Sequence, residues 1–484
     1  MIIGLYIQNH IQNLQVSLAQ KLKQKKHKVY CYSNNHLHVK YFQKDFRKVF
    51  YKIEHSDINN FIVKTVVKKN YKKKQLFYEK KIQTTYLDLL ASNRVFGIEY
   101  AIGAVNHPKH QLSEVNTKKI ISGLNDFFDH WLKEIQKKKI KVFISGEKEH
   151  YYVCKIAKIK YRAIERSRIQ NYHYWSKSST KQILGITKNF KKLSKNNKNY
   201  IDTSKILIRA YDAEFLRRKR NLENFKLLTF FKKLLPIILK HFYSKLNNSK
   251  YTYNLISKLS HSCRMWYHYN FLKNNCKSLI QLIKEKKKFV YYPLHTEPEP
   301  QILNNSPFFF FQEALIALIS RYLPSDHYLV VKESLVGIGR RDLKFYKKLK
   351  KFKNVIIADP LDEGINVIKN SKIVITISGT AGTEASILGI PVISLSPYND
   401  YNILNSVHHL SNLSEIKNVI NLQLENEKLM KNKYKKDGYN YLLAIKKSSF
   451  DLESYNHLVT SKIQELSKKN QNTIFRNFIK SLND

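Results

Sequence analysis

The sequence predicts an α/β protein of two Rossmann-like domains that face a cleft, with additional helical segments. Three observations carry this. Over about residues 287 to 400, short β-branched apolar runs alternate with helical stretches, the pattern of parallel strands buried on both faces. Over about residues 1 to 180 the same alternation recurs less regularly. Between them, Ile186 to Lys286 contains no glycine and one proline, Pro236, and its Lys-rich amphipathic patterning reads as helix. The 484 residues also exceed what one ordinary core supports.

Taken in order, "IIGLYI", "IQNLQVSLAQKLKQKK" and "KVYCYS" make a βαβ opening. "KVFISGE", "HYYVCKIAKIK" and "YRAIERSRI" make a second, so residues 1–180 form an N-terminal Rossmann-like domain. Residues 186–286 form a helical bridging segment, with "LLTFFKKLLPIILKHFYSKL" its most apolar part. In residues 287–400, "KFVYYPLH", "HYLVVKE", "NVIIADP", "KIVITIS" and "PVISLS" are the strands of a C-terminal Rossmann-like domain. "FFFQEALIALISRYL", "RRDLKFYKKLKKF", "DEGINVIKNS" and "TAGTEASILG" are its helices. Eight of the ten prolines and six of the thirteen glycines fall between Pro293 and Pro397, where many tight turns are needed. Residues 401–484 have no proline and one glycine, Gly438, and are expected to be a helical tail.

Composition narrows the function classes. With 43% hydrophobic and 13% aromatic residues the chain buries sizeable cores and is not disordered. Its 86 Lys and Arg against 37 Asp and Glu give +49, which attracts polyanions or an anionic membrane surface, although an AT-biased genome also enriches Lys, Asn, Ile and Tyr. No zinc-finger, RNP or helix-turn-helix pattern turns this charge into a nucleic-acid reader. The four cysteines show no metal-ligand spacing, so a reduced, cytoplasmic protein is expected, with a peripheral position on the inner face of the cell membrane. No signal peptide and no run of eighteen apolar residues is visible.

Two stretches carry chemistry. In "FVYYPLHTEPEP" a strand runs into a loop holding His295, Glu297 and Glu299, stiffened by Pro293, Pro298 and Pro300, which fix φ and remove donors. Leaving the carboxyl end of a strand, these side chains would enter the cleft. The plainer reading is that the prolines end the strand and the glutamates offset lysines. In "ITISGTAGTEASILGIPVISL", Ser378 ends a buried strand, Gly379 turns the backbone and Thr380 is expected to cap a helix whose first amides bind phosphate. Glu384, one turn in, could accept hydrogen bonds from ribose hydroxyls. An ordinary strand-turn-helix has similar letters, but two such motifs in one domain favour a site.

Together with "VVKE", "RRDLKFYKKLKKFKNVIIADP" and "IKNSKIVITISGTAGTEASILGIPVISL", this region resembles the bacterial capsule polysaccharide biosynthesis proteins, a group that includes the Kdo (3-deoxy-octulosonate) transferases of capsule assembly. The resemblance covers about residues 287 to 397; upstream it rests on "RSRI" at Arg166 to Ile169. It implies a GT-B-like fold in which residues 1–180 are the acceptor side and residues 287–400 bind the nucleotide sugar, with a nucleotide-activated sugar as donor substrate, no separate cofactor and no obligatory metal. Where such proteins often read Lys-Glu-His-Pro, this chain reads "VKESLVG", so Ser334 stands in place of a donor-side histidine.

Glycosyl transfer needs a base for the acceptor hydroxyl and cations or amides for the leaving phosphate. The catalytic candidates are His295, Glu297 and Glu299, with Glu147 as rival from the facing domain. The candidates for holding the nucleotide sugar are Lys332, Glu333, Ser378, Gly379, Thr380, Ala381, Glu384 and Arg166, although Glu333 could equally pair with Lys332 or Arg341. The expected partners are a nucleotide sugar and a glycan or glycolipid acceptor. A sugar-nucleotide epimerase, or a non-catalytic polysaccharide-binding or export-coupling protein, are the alternatives.

Overall fold

The computed structural model describes residues 1–93, 96, 115–196, 201, 203, 212–223, 227–246, 255–296, 300–309, 311–453 and 463–483. The chain divides into two compact units, one of Met1–Leu90, Glu114–Asn189 and Ile445–Asp484, the other of Ala91–Ser113 and Phe190–Ala444. The strands in chain order are β1 (Ile2–Tyr6), β2 (Lys28–Ser33), β3 (Lys52–His55), β4 (Val142–Ile144), β5 (Lys160–Arg166) and β6 (Tyr172–Ser176). They continue with β7 (Lys288–Pro293), β8 (His327–Lys332), β9 (Val355–Ala358), β10 (Ile373–Thr376), β11 (Val392–Ser394), β12 (Val407–His409) and β13 (Phe450–Asp451).

The second unit holds a sheet in the order β12-β11-β10-β7-β8-β9, parallel throughout. Its strands read as uninterrupted apolar runs because helices cover both faces: Val290, Tyr292, Ile373, Val374, Ile375, Val392 and Ile393 are fully buried. Strand β12 carries the sheet past residue 400. The described residues of the bridging stretch form helices Ile186–Asn196, Asp212–Glu223, Leu227–Leu246, Leu255–Asn275 and Leu279–Lys284, and Lys277 makes a single bridge to Ala358.

The first unit holds a mixed sheet, order β13-β6-β5-β4-β1-β2-β3. Strands β1 to β5 pair in parallel, while β6 and β13 add antiparallel at one edge. The tail therefore does not remain one helical segment. Helices Ile416–Leu429 and Lys431–Lys447 lie in it, but residues 445–484 belong to the first unit. There Phe450 pairs with His173, and helix Lys468–Asn483 buries Ile474, Phe478 and Leu482 in one core with Leu14 and Leu18 of helix Gln12–Gln24. The buried Arg162 locks this helix by donating from Nε to the Ser481 carbonyl at 2.9 Å. The physical reason is apolar burial: the amphipathic face of the last helix covers a face of the sheet that would otherwise meet water.

Candidate functional site

Strand order positions the site in the second unit. From β7 the chain steps outward to β8 and β9, then returns to the other side of β7 for β10, β11 and β12. The carboxyl ends of β7 and β10 thus flank a topological switch point, where open parallel sheets bind ligands. His295 follows β7 and Ser378–Gly379 follow β10, and the two segments touch: the Ser378 amide donates to His295 Nε2 at 3.1 Å, and the Ser378 carbonyl lies against the same nitrogen. Gln312 fixes the histidine backbone from a helix, its Oε1 accepting from the His295 amide at 2.9 Å and its Nε2 donating to the His295 carbonyl at 3.0 Å. His295 is buried, and burial, only partly offset by the bond to Ser378, lowers its pKa to about 4. It is neutral near pH 7 and serves to hold the loops after β7 and β10 together.

The loop after β8 joins this cluster. Glu333 is fully buried; one carboxylate oxygen accepts from Arg341 Nε at 2.8 Å and Tyr346 Oη at 2.7 Å, the other from the Ser334 amide at 2.8 Å. Arg341 also donates to the His295 carbonyl, tying Glu333 to the β7 loop. Of the two partners open to Glu333, Arg341 is the one it takes. Lys332, also buried, donates from Nζ to the Pro360 carbonyl at 3.1 Å. Ser334 bonds the Thr296 hydroxyl at 3.0 Å and accepts from the Gly337 amide at 3.0 Å, so it organises the turn where a histidine was expected. Gly337 fits because a Cβ there would lie 2.2 Å from Glu333 Oε1.

Helix Thr380–Leu388 starts at the switch point, and here the structure corrects one expectation. The N-cap is Gly379, at φ 119°, with no side-chain cap, and Thr380 is the first helical residue. The left-handed backbone of Gly379 shifts the cap by one position and leaves the amide end of the helix to be met by something other than a capping side chain. An added Cβ at Gly379 would sit 3.7 Å from His295 Nε2, ordinary contact, so conformation and not space demands glycine there. At Gly382 space does: a Cβ would come within 2.3 Å of the Tyr401 ring and hydroxyl. Thr380 and Ala381 are half-buried, while Glu384 is 2% exposed within the helix. Glu297 and Glu299 lie outside the described residues.

The first unit brings together a set of acids that the sequence only partly signalled. After β4, Ser145 (φ 64°) and Gly146 (φ 111°) turn the chain sharply into helix Lys148–Ile156, with Glu147 as N-cap. The Glu147 amide donates to His150 Nδ1 at 3.2 Å. His150 is buried among Tyr6, Trp131, Phe127 and Phe143, with ring centroids 4.5 to 5.5 Å away, and burial lowers its pKa to about 3. Glu149, 4% exposed, is raised to about 8 by burial and then by the Glu147 charge. Asp57, which caps helix Ile58–Lys64 by accepting from the Asn59 amide at 3.0 Å, is raised to about 6, chiefly by burial. Two carboxyls that stay protonated to unusually high pH thus lie near Glu147, at the carboxyl ends of β3 and β4. Asp57 and Glu149 escaped sequence reading; for Glu149 the signal was the repeated acid in "SGEKEH", but burial decides both. Arg166 ends β5, opposite His173 of β6. Among the described residues, no group of three or more His, Cys, Asp or Glu is placed to hold a metal ion.

A family described as "Protein of unknown function (DUF354)" matches residues 332–452, from the end of β8 into the chain just past β13. Comparison with curated proteins finds no match. Among solved structures, HepE of Anabaena, in complex with UDP and glucose, is 9% identical over 100% of this chain and 99% of that chain, TM-score 0.32. The beta Kdo 2,4 transferase KpsC of Thermosulfurimonas dismutans is 11% identical over 57% of this chain and 78% of that chain, TM-score 0.30. The UDP-GlcNAc 2-epimerase of Methanocaldococcus jannaschii, in complex with UDP-GlcNAc and UDP, is 11% identical over 92% of this chain and 99% of that chain, TM-score 0.31. Similarity this low carries no weight of its own, and the α/β class rests on the two sheets.

Proposed function

We propose that this chain is a glycosyltransferase that binds a nucleotide-activated sugar at the switch point of the second unit and transfers the sugar to a glycan or lipid-linked acceptor. The observation that carries the proposal is the convergence of His295, the Glu333–Arg341 pair and Ser378–Gly379 at the amide end of helix Thr380–Leu388. Amides at a helix start are suited to the phosphate charge that leaves with the nucleotide. In this reading the amides of Gly379 to Ala381 face the donor phosphates and His295 is a positioning residue that holds their turn. Lys332 supplies positive charge, and Glu384 and Glu333 act on the donor side, Glu333 through Arg341. The acceptor oxygen attacks the anomeric carbon as the bond to the phosphate oxygen breaks, and the acceptor proton passes to a carboxylate, Glu297 or Glu299. The resemblance to capsule proteins makes a CMP-activated, Kdo-like sugar the first donor to try.

The test is a mass-spectrometric screen of CMP- and UDP-activated sugars for binding, for hydrolysis and for transfer to glycan acceptors. Transfer that needs acceptor supports the proposal. Conversion of the nucleotide sugar without acceptor would assign an epimerase, and no binding of any nucleotide sugar would leave a polysaccharide-binding protein. Once a donor is found, Glu297→Gln and Glu299→Gln identify the base: the responsible variant keeps donor binding and loses turnover by about 10²- to 10⁴-fold, and if neither does, Glu147→Gln is the next variant to assay.

A further inference from the structure

Helix Leu227–Leu246 is a separate feature of the second unit. Its outward face is apolar: Phe231, Leu235, Leu239, Phe242 and Tyr243 are 58%, 59%, 60%, 56% and 67% exposed. At 3.6 residues per turn these five, with the exposed Lys232 and Pro236, fall within about 140° of arc. The opposite side holds half-buried Leu234, Ile237 and Ile238 and the buried His241, and the helix packs against helix Leu255–Asn275 of the same unit. A helix on a water-facing surface places charge on its outer arc, and this one places a continuous row of large apolar side chains there.

What covers such a face is indicated by charge. From Phe225 to Lys284 the sequence contains ten lysines and one arginine and no aspartate or glutamate, and the run Arg217 to Arg220 lies just upstream. An apolar row set in cationic sequence complements a surface that is apolar inside and anionic at its boundary. No helix among the described residues is long and apolar enough to cross a membrane, so this one can only lie along the surface. We propose that helix Leu227–Leu246 is an interfacial anchor that lays its Phe231–Leu235–Leu239–Phe242 face into an anionic lipid bilayer. The proposal is independent of the donor site and of the reaction.

Flotation of the full chain with vesicles of equal parts phosphatidylglycerol and phosphatidylcholine, and with phosphatidylcholine alone, tests it. The chain floats with the anionic vesicles. Leu235→Glu combined with Leu239→Glu lowers partitioning by about tenfold or more, because the apolar area that enters the bilayer is replaced by like charge to the lipid. Circular dichroism melting of that variant stays unchanged, since both positions are exposed. Phe242→Trp adds emission that brominated lipid quenches. Raising salt weakens capture, because the charge attraction is screened over about 8 Å at physiological ionic strength. Three results would overturn the proposal. One is no flotation on anionic vesicles at low salt. Another is equal flotation of the double variant, which would assign binding to lysines alone. The last is a wild-type dimer that ignores vesicles and becomes a monomer in the double variant, which would make a second copy the occupant.

Discussion

Glu149 offers a quantitative test of the first unit. Its pKa rises from the ordinary 4.5 to about 8, through burial first and the charge of Glu147 second. Because the folded value is raised, the stability it contributes is fully present below pH 4.5 and is lost as pH climbs through 8. Between those values the unfolded chain has released a proton that the folded chain retains, so folding weakens by about 1.4 kcal/mol per pH unit, on the order of 4 to 5 kcal/mol over the whole window. Glu149→Gln keeps the shape and neutrality of the protonated acid. Its stability relative to the wild type is therefore near zero at pH 4.5 and grows steadily to about 4 kcal/mol at pH 8. His150 and His173, lowered to about 3 and 4, act with opposite sign below pH 6.5 and are common to both proteins, so they cancel in the difference. The assay is urea unfolding at pH 5, 6, 7 and 8, followed by tryptophan emission in a Trp266→Phe background. The remaining Trp131 and Trp175 are 0% and 4% exposed, and both belong to the first unit. A difference that does not change with pH, or that shrinks as pH rises, refutes the burial argument.

In the second unit, Arg341→Ala strands a fully buried Glu333 carboxylate and costs about 3–5 kcal/mol in urea unfolding; a loss below about 1 kcal/mol would show that the pair is not carrying the loop. Gly379→Val forces a β-branched residue to φ 119°, which costs about 1–3 kcal/mol, and weakens binding of UDP or CMP about tenfold or more by distorting the helix start. Calorimetry with an unchanged affinity would remove that turn from the donor site. A chain ended after Ala444 loses Phe450, Leu452, Ile474, Phe478 and Leu482 from one core. At about 1.5–3 kcal/mol each this approaches the whole stability of a domain, so Trp131 emission should shift to that of exposed indole; native emission from the shortened chain would contradict it.

The strands of the second unit were readable as letters. "KFVYY", "YLVVK", "NVIIA" and "KIVIT" are continuous apolar runs because each strand is covered on both faces, and that demand acts on every consecutive residue. The motif at Ile375 to Leu395 was readable for a similar reason: a glycine turn between a buried strand and a helix is a local requirement. Thr380 shows the limit of local reading. Its side chain is suited to capping, but the cap is set by the backbone dihedral of Gly379, which the neighbouring letters do not specify.

Other decisions depended on partners far away in the chain. Phe450–Asp451 is two residues long and becomes a strand only because β6 offers an open edge, and the amphipathic face of Lys468–Asn483 carries no label naming helix Gln12–Gln24 as its neighbour. Glu149 looks like any solvated glutamate in "SGEKEH" until the fold encloses it beside Glu147 and Asp57, and the pairing of Glu333 with Arg341 and Tyr346 needs the β8 loop to close. The sequence by itself determined the α/β character of the two units, through periodicity and apolar runs that each residue carries with it. Tertiary structure alone decided which carboxyls lose water and which segments complete each core, because desolvation is a property of the walls around a group and those walls come from distant parts of the chain.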